Sequence, residues 1–112
     1  MDCLFCKIIA GTIPSKKLYE DDLVYAFADI DPKAPVHALI VPRKHIGSLA
    51  EATDEDAPLL ARMHLAANAL AKEHNLSNGY RTVMNTGPDG GQTVSHLHLH
   101  LLGGRQMHWP PG

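Results

Sequence analysis

The sequence has few cysteines, few aromatic residues and no long apolar run. Its 112 residues include two cysteines, and aromatic residues make up 5%. Two cysteines three positions apart, Cys3 and Cys6, are too few to stabilise a small secreted domain through disulfides. No apolar run approaches the roughly 18 residues that cross a membrane, and the first residues lack the basic-then-apolar order of a secretory signal. We therefore expect a cytoplasmic protein with no membrane partner.

An excess of charge of one sign is also missing. Ten Lys and Arg residues stand against 12 Asp and Glu residues, which gives a net charge of −2. Binding to a nucleic-acid backbone requires clustered positive charge, so we expect no nucleic-acid partner. Hydrophobic residues make up 45% and charged residues 20%, as in soluble globular chains. With no repeat or linker, the sequence predicts a single domain over residues 1–112, with a C-terminal tail at residues 105–112.

The local patterns predict an α+β fold. A short helix is expected at residues 3–10, and apolar residues at three- and four-residue steps predict a long helix at residues 54–74. Strand signals occur in five segments, at residues 17–20, 23–30, 36–41, 80–85 and 95–102. We expect a mostly antiparallel five-stranded sheet with the long helix packed on one face.

Histidine is the residue that the sequence has in excess, with eight copies. Three of them alternate with leucines in the last predicted strand, at His96, His98 and His100. Successive side chains of a strand point to opposite faces, so the three imidazoles share one face, about 6.5 Å apart, and the leucines share the other. A single histidine on a sheet is usually a surface residue. Three in strict alternation favour a functional site, either metal-binding or catalytic.

A glycine-rich loop at residues 85–94 precedes these histidines. Consecutive glycines let a backbone approach an anion closely, and loop N–H groups can form a concave phosphate site. Alone, such a loop usually does no more than connect two strands. Beside a row of imidazoles, Asn85, Gln92 and Thr93 are predicted to donate hydrogen bonds to phosphoryl oxygens. The combination favours nucleophilic attack at phosphorus.

The pattern His-φ-His-φ-His-φ-φ at residues 96–102 resembles the motif of the histidine triad (HIT) superfamily. The chain is similar to the HINT branch, the purine nucleoside phosphoramidases, over residues 8–15, 27–30, 34–37, 39–42, 90–94 and 102–112. This resemblance implies hydrolysis of purine nucleoside 5′-phosphoramidates, such as AMP-NH2 and AMP-lysine, through a covalent nucleotidyl-histidine. The products are a nucleoside monophosphate and an amine, and catalysis needs no cofactor. The resemblance also implies a homodimer with a continuous sheet across its interface.

The resemblance further implies a role for each matching residue. His98 matches the nucleophile, His100 the residue that hydrogen-bonds the phosphate, and His37 and His96 the rest of the histidine cluster. Asp29 matches the carboxylate that binds the ribose hydroxyls. The positions that match the apolar purine slot are Leu4, Phe5, Ile8, Phe27 and Ile30. Those that match the phosphate and leaving-group side are Asn85, Gly91, Gln92 and Thr93, with Thr93 where many HINT proteins have serine.

Cys3 and Cys6 are a departure from many HINT proteins. In members with a similar N-terminus, two cysteines and two histidines bind a structural zinc, and the matching histidines are His45 and His96. A Cys₂His₂ set is chemically suited to tetrahedral zinc. The alternative is that the cysteines are buried thiols. A thioredoxin-like redox pair is less well supported, because such a pair normally follows a strand.

Two other functions remain open from the sequence. One is dinucleoside polyphosphate hydrolysis, the activity of a sister branch that looks less similar around the tail. The other is a nucleotide- or zinc-binding regulatory module. In the HINT branch the tail packs near the partner subunit's active site, so Trp109 is predicted to influence leaving-group selectivity.

Overall fold

The computed structural model describes residues 3–112 and confirms the α+β fold; residues 1 and 2 of the predicted domain lie outside the described residues. Two α-helices and five strands follow one another along the chain: α1 (Leu4–Ile9), β1 (Lys17–Glu20), β2 (Val24–Ala28), β3 (Val36–Pro42), α2 (Ala57–Glu73), β4 (Tyr80–Val83) and β5 (Leu99–Gly103). Two short 3₁₀ turns, Leu49–Glu51 and Asp54–Asp56, precede α2. Within residues 3–112, no helix is both long and apolar enough to span a membrane.

The five strands form one antiparallel sheet in the order β1-β2-β3-β5-β4. The last strand therefore lies between β3 and β4, and β1 and β4 are the edges. In the β3–β5 pair, His100 lies opposite Leu39 and His37 lies opposite Leu102. Side chains two positions apart on a strand share a face, so this register places His37 and His100 diagonally on the same face.

Helix α2 covers one face of the sheet. It begins after a capping box in which Thr53 and Asp56 exchange side-chain and backbone hydrogen bonds. Five residues of the predicted apolar stripe are buried and pack against the sheet in one core cluster, together with Ala71; Leu60, also in the predicted stripe, is only half-buried. The central members are Val24, Ala26, Ala38, Ile40, Leu59, Met63, Ala66, Ala67, Leu70, Leu97, Leu99 and Leu101.

Helix α1 lies in the second core cluster, which involves the other sides of β2 and β3. Phe5 and Ile8 are the buried residues of this helix. They pack with Tyr25, Phe27, Leu39 and Val41. Cys3 belongs to the same cluster, so the N-terminal segment is brought to the sheet face that carries His37 and His100. The position of α1 thereby determines which residues surround the histidines.

Several predicted boundaries were wrong by a few residues. Helix α1 is shorter than residues 3–10 because Cys3 is its N-cap, with an extended backbone and a thiol that accepts the Cys6 N–H at 3.4 Å. Helix α2 begins at Ala57 rather than residue 54, because a 3₁₀ turn occupies residues 54–56. Strand β2 is shorter than residues 23–30, and β4 ends at Val83 rather than Asn85.

The last strand was predicted to begin at Ser95 but begins at Leu99. Its pairing with β3 ends where Leu99 lies opposite Ile40. Before that point the chain bonds instead to the loop after β3, with the Leu97 N–H donating to the Ile46 carbonyl at 2.6 Å. Strand β3 ends at Pro42, which has no N–H to offer a longer ladder.

Candidate functional site

The alternation of histidines and leucines extends beyond the strand itself. Leu97 is buried in the α2 core with Leu99 and Leu101, although it precedes β5. His96 and His98 are buried, His100 is half-buried, and the three rings lie away from that core. The prediction that the histidines share one side is therefore confirmed by the contacts described below, even where the ladder is absent.

The ring orientation of His98 is fixed by a backbone carbonyl. Its Nδ1 lies 2.7 Å from the carbonyl oxygen of His96. A carbonyl only accepts hydrogen bonds, so Nδ1 must carry the proton, and in the neutral ring the lone pair is then on Nε2. The Phe5 ring packs edge-on against this imidazole at 5.1 Å between centroids. His98 thus presents the tautomer that a nucleophile attacking through Nε2 requires.

A second hydrogen-bond chain orients His100. The Lys33 N–H donates to Nδ1 of His37 at 3.0 Å, so the proton of His37 is on Nε2. That Nε2–H points to Nδ1 of His100 at 2.9 Å. In His100 the remaining N–H is consequently on Nε2, where it can donate to a bound ligand. Through these two hydrogen bonds, the backbone N–H of Lys33 determines that His100 carries its proton on Nε2.

Burial keeps these two imidazoles neutral. Desolvation, followed by repulsion from His98 and His37, lowers the pKa of His100 to about 4, and the Asp29 carboxylate opposes this shift. Burial also lowers the pKa of His37, again against the attraction of Asp29. Both directions favour the neutral rings that the hydrogen-bond chain requires at pH 7. The site therefore offers neutral donors rather than imidazolium charges.

Asp29 follows β2 and borders the histidines. Its backbone N–H donates to the His37 carbonyl at 3.0 Å, and its Oδ1 accepts the Asp31 N–H at 2.8 Å. The other carboxylate oxygen lies 3.4 Å from Nε2 of His37. The predicted ribose ligand is thus both a turn residue and a neighbour of the histidine cluster.

The residues predicted to form the purine slot fall into two groups. Phe5, Ile8 and Phe27 are buried together, with 5.6 Å between the two phenyl centroids. Leu4 is exposed, and Ile30 is 99% exposed. The buried group can form the floor of an apolar slot, while the two exposed side chains are free to contact a ligand from outside.

The glycine-rich loop is held by Gln92. Its side-chain Oε1 accepts the Gly87 N–H at 3.0 Å, and its Nε2 donates to the carbonyls of Gly47 (2.7 Å) and Val94 (2.9 Å). The expectation that this amide donates to phosphate does not match the structure, in which its donors already bind backbone carbonyls. Asn85 is half-buried and Thr93 is exposed on the same loop, as is Gly91, whose φ of +82° favours glycine.

Cys3, Cys6, His45 and His96 form a separate cluster, the Cys/His cluster, whose four ligand atoms lie within 4.8 Å of one another. Nδ1 of His96 lies 3.2 Å from Sγ of Cys3, 3.6 Å from Sγ of Cys6 and 3.1 Å from Nδ1 of His45. Sγ of Cys6 lies 3.4 Å from Nδ1 of His45. Around a tetrahedral zinc, sulfur and nitrogen ligands are spaced roughly 3.3–3.8 Å apart. The separations of 3.1–3.6 Å lie inside this range or within about 0.2 Å of it, so the four donors are close enough to share one zinc ion.

The hydrogen bond on the other side of His96 also fits a metal ligand. Nε2 of His96 donates to the Pro42 carbonyl at 2.9 Å, which leaves the lone pair on Nδ1, the atom that faces the cluster. Histidine ligands of metals usually donate their other N–H to such an acceptor. His96 thus belongs to this cluster through its ring and contacts His98 through its carbonyl.

A second group, Asp29, His37 and His100, also has ligand atoms within 4.8 Å. Here the Lys33 N–H faces Nδ1 of His37, so the proton sits on Nε2, the atom nearest Asp29 and His100. A protonated nitrogen cannot bind a metal. The hydrogen bonding therefore distinguishes the Cys/His cluster, whose His96 Nδ1 has a lone pair for a metal, from this group, in which Nε2 of His37 carries a proton.

Sequence reasoning missed the backbone atoms that set these tautomers. They are the Lys33 N–H for His37, the Pro42 carbonyl for His96 and the His96 carbonyl for His98. Sequence reasoning also missed the Gly47 carbonyl, which accepts from the Gln92 amide. Backbone groups are the same for nearly every residue type, so no motif could have identified them.

Comparison with known proteins is consistent with this geometry. Residues 2–109 match the family model described as "Scavenger mRNA decapping enzyme C-term binding". An uncharacterized HIT-like protein of Synechococcus elongatus is 55% identical over 111 residues, covering 99% of this chain and 97% of the relative. A 14 kDa zinc-binding protein of Brassica juncea is 48% identical over 113 residues, covering 99% and 100% of the two chains.

Solved structures show the same likeness. The crystal structure of a HIT family hydrolase from Legionella pneumophila superposes with a TM-score of 0.97 at 53% identity, covering 99% of this chain and all of that one. A histidine triad protein from Clostridium difficile gives a TM-score of 0.93 at 48% identity over 96% of this chain and 95% of its own. The fold, the histidine row and these relatives together show that the chain belongs to the HIT-like family and is similar to its hydrolases.

Proposed function

We propose that this protein hydrolyses the P–N bond of purine nucleoside 5′-phosphoramidates such as AMP-NH2 and AMP-lysine. The observation that carries the proposal is the pair of oriented imidazoles, a lone pair on Nε2 of His98 beside an N–H on Nε2 of His100. The two rings lie 5.0 Å apart between centroids. Displacement at phosphorus requires a nucleophile and is assisted by a hydrogen-bond donor to a phosphoryl oxygen, and these two imidazoles can supply both.

The reaction proceeds in two displacements. In the first, Nε2 of His98 bonds to the α-phosphorus while the P–N bond to the substrate amine breaks, and the departing amine takes up a proton. The hydrogen bond from Nδ1 to the His96 carbonyl stabilises the positive charge that develops on the ring. In the second, water attacks the phosphorus, the bond to His98 breaks, and the nucleoside monophosphate leaves with loss of a proton. No step requires a metal.

The surrounding residues bind and orient the nucleotide in this proposal. Nε2–H of His100 donates to a non-bridging phosphoryl oxygen, with His37 fixing its tautomer. Asp29 accepts hydrogen bonds from the ribose hydroxyls. The purine lies against the side chains of Leu4, Phe5, Ile8, Phe27 and Ile30. Asn85, Gly91 and Thr93 line the phosphate and leaving-group side, and Gln92 holds their loop in place.

The Cys/His cluster is proposed to bind a structural zinc. Its donor set, spacing and the His96–Pro42 hydrogen bond support this assignment, as does the name of the Brassica juncea relative. A bound zinc would supply a cross-link between α1 and the segments that carry His45 and His96. It would take no part in the displacement at phosphorus.

The protein is also proposed to act as a homodimer with a sheet that continues across the interface. The edge strand β4 offers unpaired backbone groups for a second copy. Arg81 on this strand donates to the His108 carbonyl at 2.8 Å, so the tail at residues 105–112 is held beside that edge. Trp109, 83% exposed in one chain, would then be placed to contact the partner subunit.

A comparison of substrates tests the activity. We expect the wild type to turn over AMP-NH2 and AMP-lysine faster than a diadenosine polyphosphate. His98→Asn should reduce turnover to background while AMP still binds, and His64→Gln, at an exposed position on α2, should behave as wild type. Full activity in His98→Asn would contradict the mechanism. Faster cleavage of the polyphosphate would favour the sister activity, and binding without turnover would favour a regulatory module.

A further inference from the structure

Residue His96 links two clusters that the proposed function treats separately. Its imidazole is completely buried and is held on both sides, by the Cys/His cluster at Nδ1 and by the Pro42 carbonyl at Nε2. Its carbonyl oxygen accepts a hydrogen bond from Nδ1–H of His98, with 2.7 Å between nitrogen and oxygen. The ring of one residue and the carbonyl of the same residue therefore belong to the two sites.

A second contact runs in parallel through α1. Phe5 lies between the two cysteines in the sequence, and its ring packs edge-on against both imidazoles, at 5.8 Å from His96 and 5.1 Å from His98. Cys3 is the N-cap of this helix. The contacts that hold the cysteines against His96 thus also hold the Phe5 ring against His98.

We propose that His96 is a positioning residue for catalysis, through which the state of the Cys/His cluster controls the orientation and tautomer of His98. When the cluster is closed, the His96 ring cannot rotate, its peptide group is fixed, and its carbonyl keeps the proton on Nδ1 of His98. The same peptide group is also held by the Leu97 N–H, which donates to the Ile46 carbonyl, and Ile46 directly follows the cluster residue His45. When the cluster is opened, the segment of His45 and Ile46 loses its attachment to His96, and the His96 carbonyl can shift away from Nδ1 of His98. The proton of His98 is then no longer confined to Nδ1, and a ring protonated on Nε2 has no lone pair there for phosphorus. This inference rests on the proposed function only for its kinetic consequence.

Substitutions at the two less buried members of the Cys/His cluster, Cys6 and His45, open the cluster with the least disturbance of the core. His45 is exposed and Cys6 is half-buried, so replacing them leaves the buried Cys3 and His96 in place and creates no core cavity. We choose His45→Gln and Cys6→Ser. The matched control is His64→Gln, which removes an exposed histidine from α2, outside both clusters.

Nitrogen-15 NMR of the histidine side chains reads the proposed effect directly. At pH 8, where free imidazole is neutral, the wild type and His64→Gln should show a slowly exchanging Nδ1–H for His98. In His45→Gln and Cys6→Ser this signal should broaden or disappear, and adding zinc to chelator-treated wild type should sharpen it. With AMP-lysine, kcat should fall about 10-fold in both variants with KM changed less than about twofold, because misplacement of a reacting group acts on the chemical step.

Unchanged His98 signals in both cluster variants and on zinc addition would overturn the inference. So would a loss of the signal that occurs equally in His64→Gln, since that would report a general effect of the substitution. The NMR measurement does not depend on turnover. A wild type that lacks phosphoramidase activity but shows the expected NMR changes would therefore refute the proposed function and leave the positioning role of His96 supported.

Discussion

Acid should destabilise the fold through His100 in particular. The pKa of this residue is about 4 in the folded chain, because the ring is partly buried beside two other imidazoles, and about 6.5 in an unfolded chain. Between these values the unfolded state binds a proton that the folded state does not, so stability falls as the pH is lowered through this range. At 1.36 kcal/mol per unit, lowering the pH from 7 to 4 costs about 3 kcal/mol from this one group.

Urea unfolding of wild type and His100→Gln at pH 7, 5.5 and 4 measures this contribution. The glutamine keeps an acceptor for His37 but does not titrate, so the variant should lose about 3 kcal/mol less than wild type over the same range. His64→Gln, at an exposed position on α2, is the control and should follow wild type. Protein concentration is kept constant, since dimer formation would add its own dependence. Equal losses in wild type and His100→Gln would refute the assignment of a half-buried His100 that stays neutral in the folded chain.

Other consequences concern the loop and the core. Gln92→Glu should speed amide hydrogen exchange over residues 85–94, because a carboxylate cannot donate to the carbonyls of Gly47 and Val94; unchanged exchange would contradict the bracing role. Met63→Ala should lower the free energy of unfolding by about 2–5 kcal/mol, because this side chain is completely buried against the sheet. The neighbouring exposed change, His64→Ala, should cost about 0.5 kcal/mol or less, and equal costs for the two would contradict the packing of α2.

Much of the architecture could be predicted from periodicity. The apolar stripe of α2 and the alternation of leucines and histidines each reflect a repeat that the backbone geometry imposes, and both are present in the structure. The end of a strand is harder to predict. Nothing in the sequence of residues 95–98 distinguishes pairing with β3 from bonding to Ile46, because that choice depends on where the partner strand stops.

In the candidate site, too, some features could be predicted from the sequence, whereas others depend on tertiary contacts. Side chains with distinctive chemistry, such as Cys3 and His45, could be assigned to a cluster by resemblance, and the structure brings them together with Cys6 and His96. The function of Gln92 could not, because an amide can donate to a ligand or to a backbone carbonyl with similar ease. Only its distances to Gly47 and Val94 show which it does.

The central claim is that His98 becomes covalently bonded to phosphorus. Rapid quenching of wild-type protein with an adenosine 5′-phosphoramidate, followed by mass spectrometry of the peptide that contains residues 96–102, tests it directly. The account predicts a transient adenylyl group on His98 that appears before AMP and disappears as the substrate is consumed, with none in His98→Asn. Full turnover without this adduct, or an adduct on His100 instead, would contradict it.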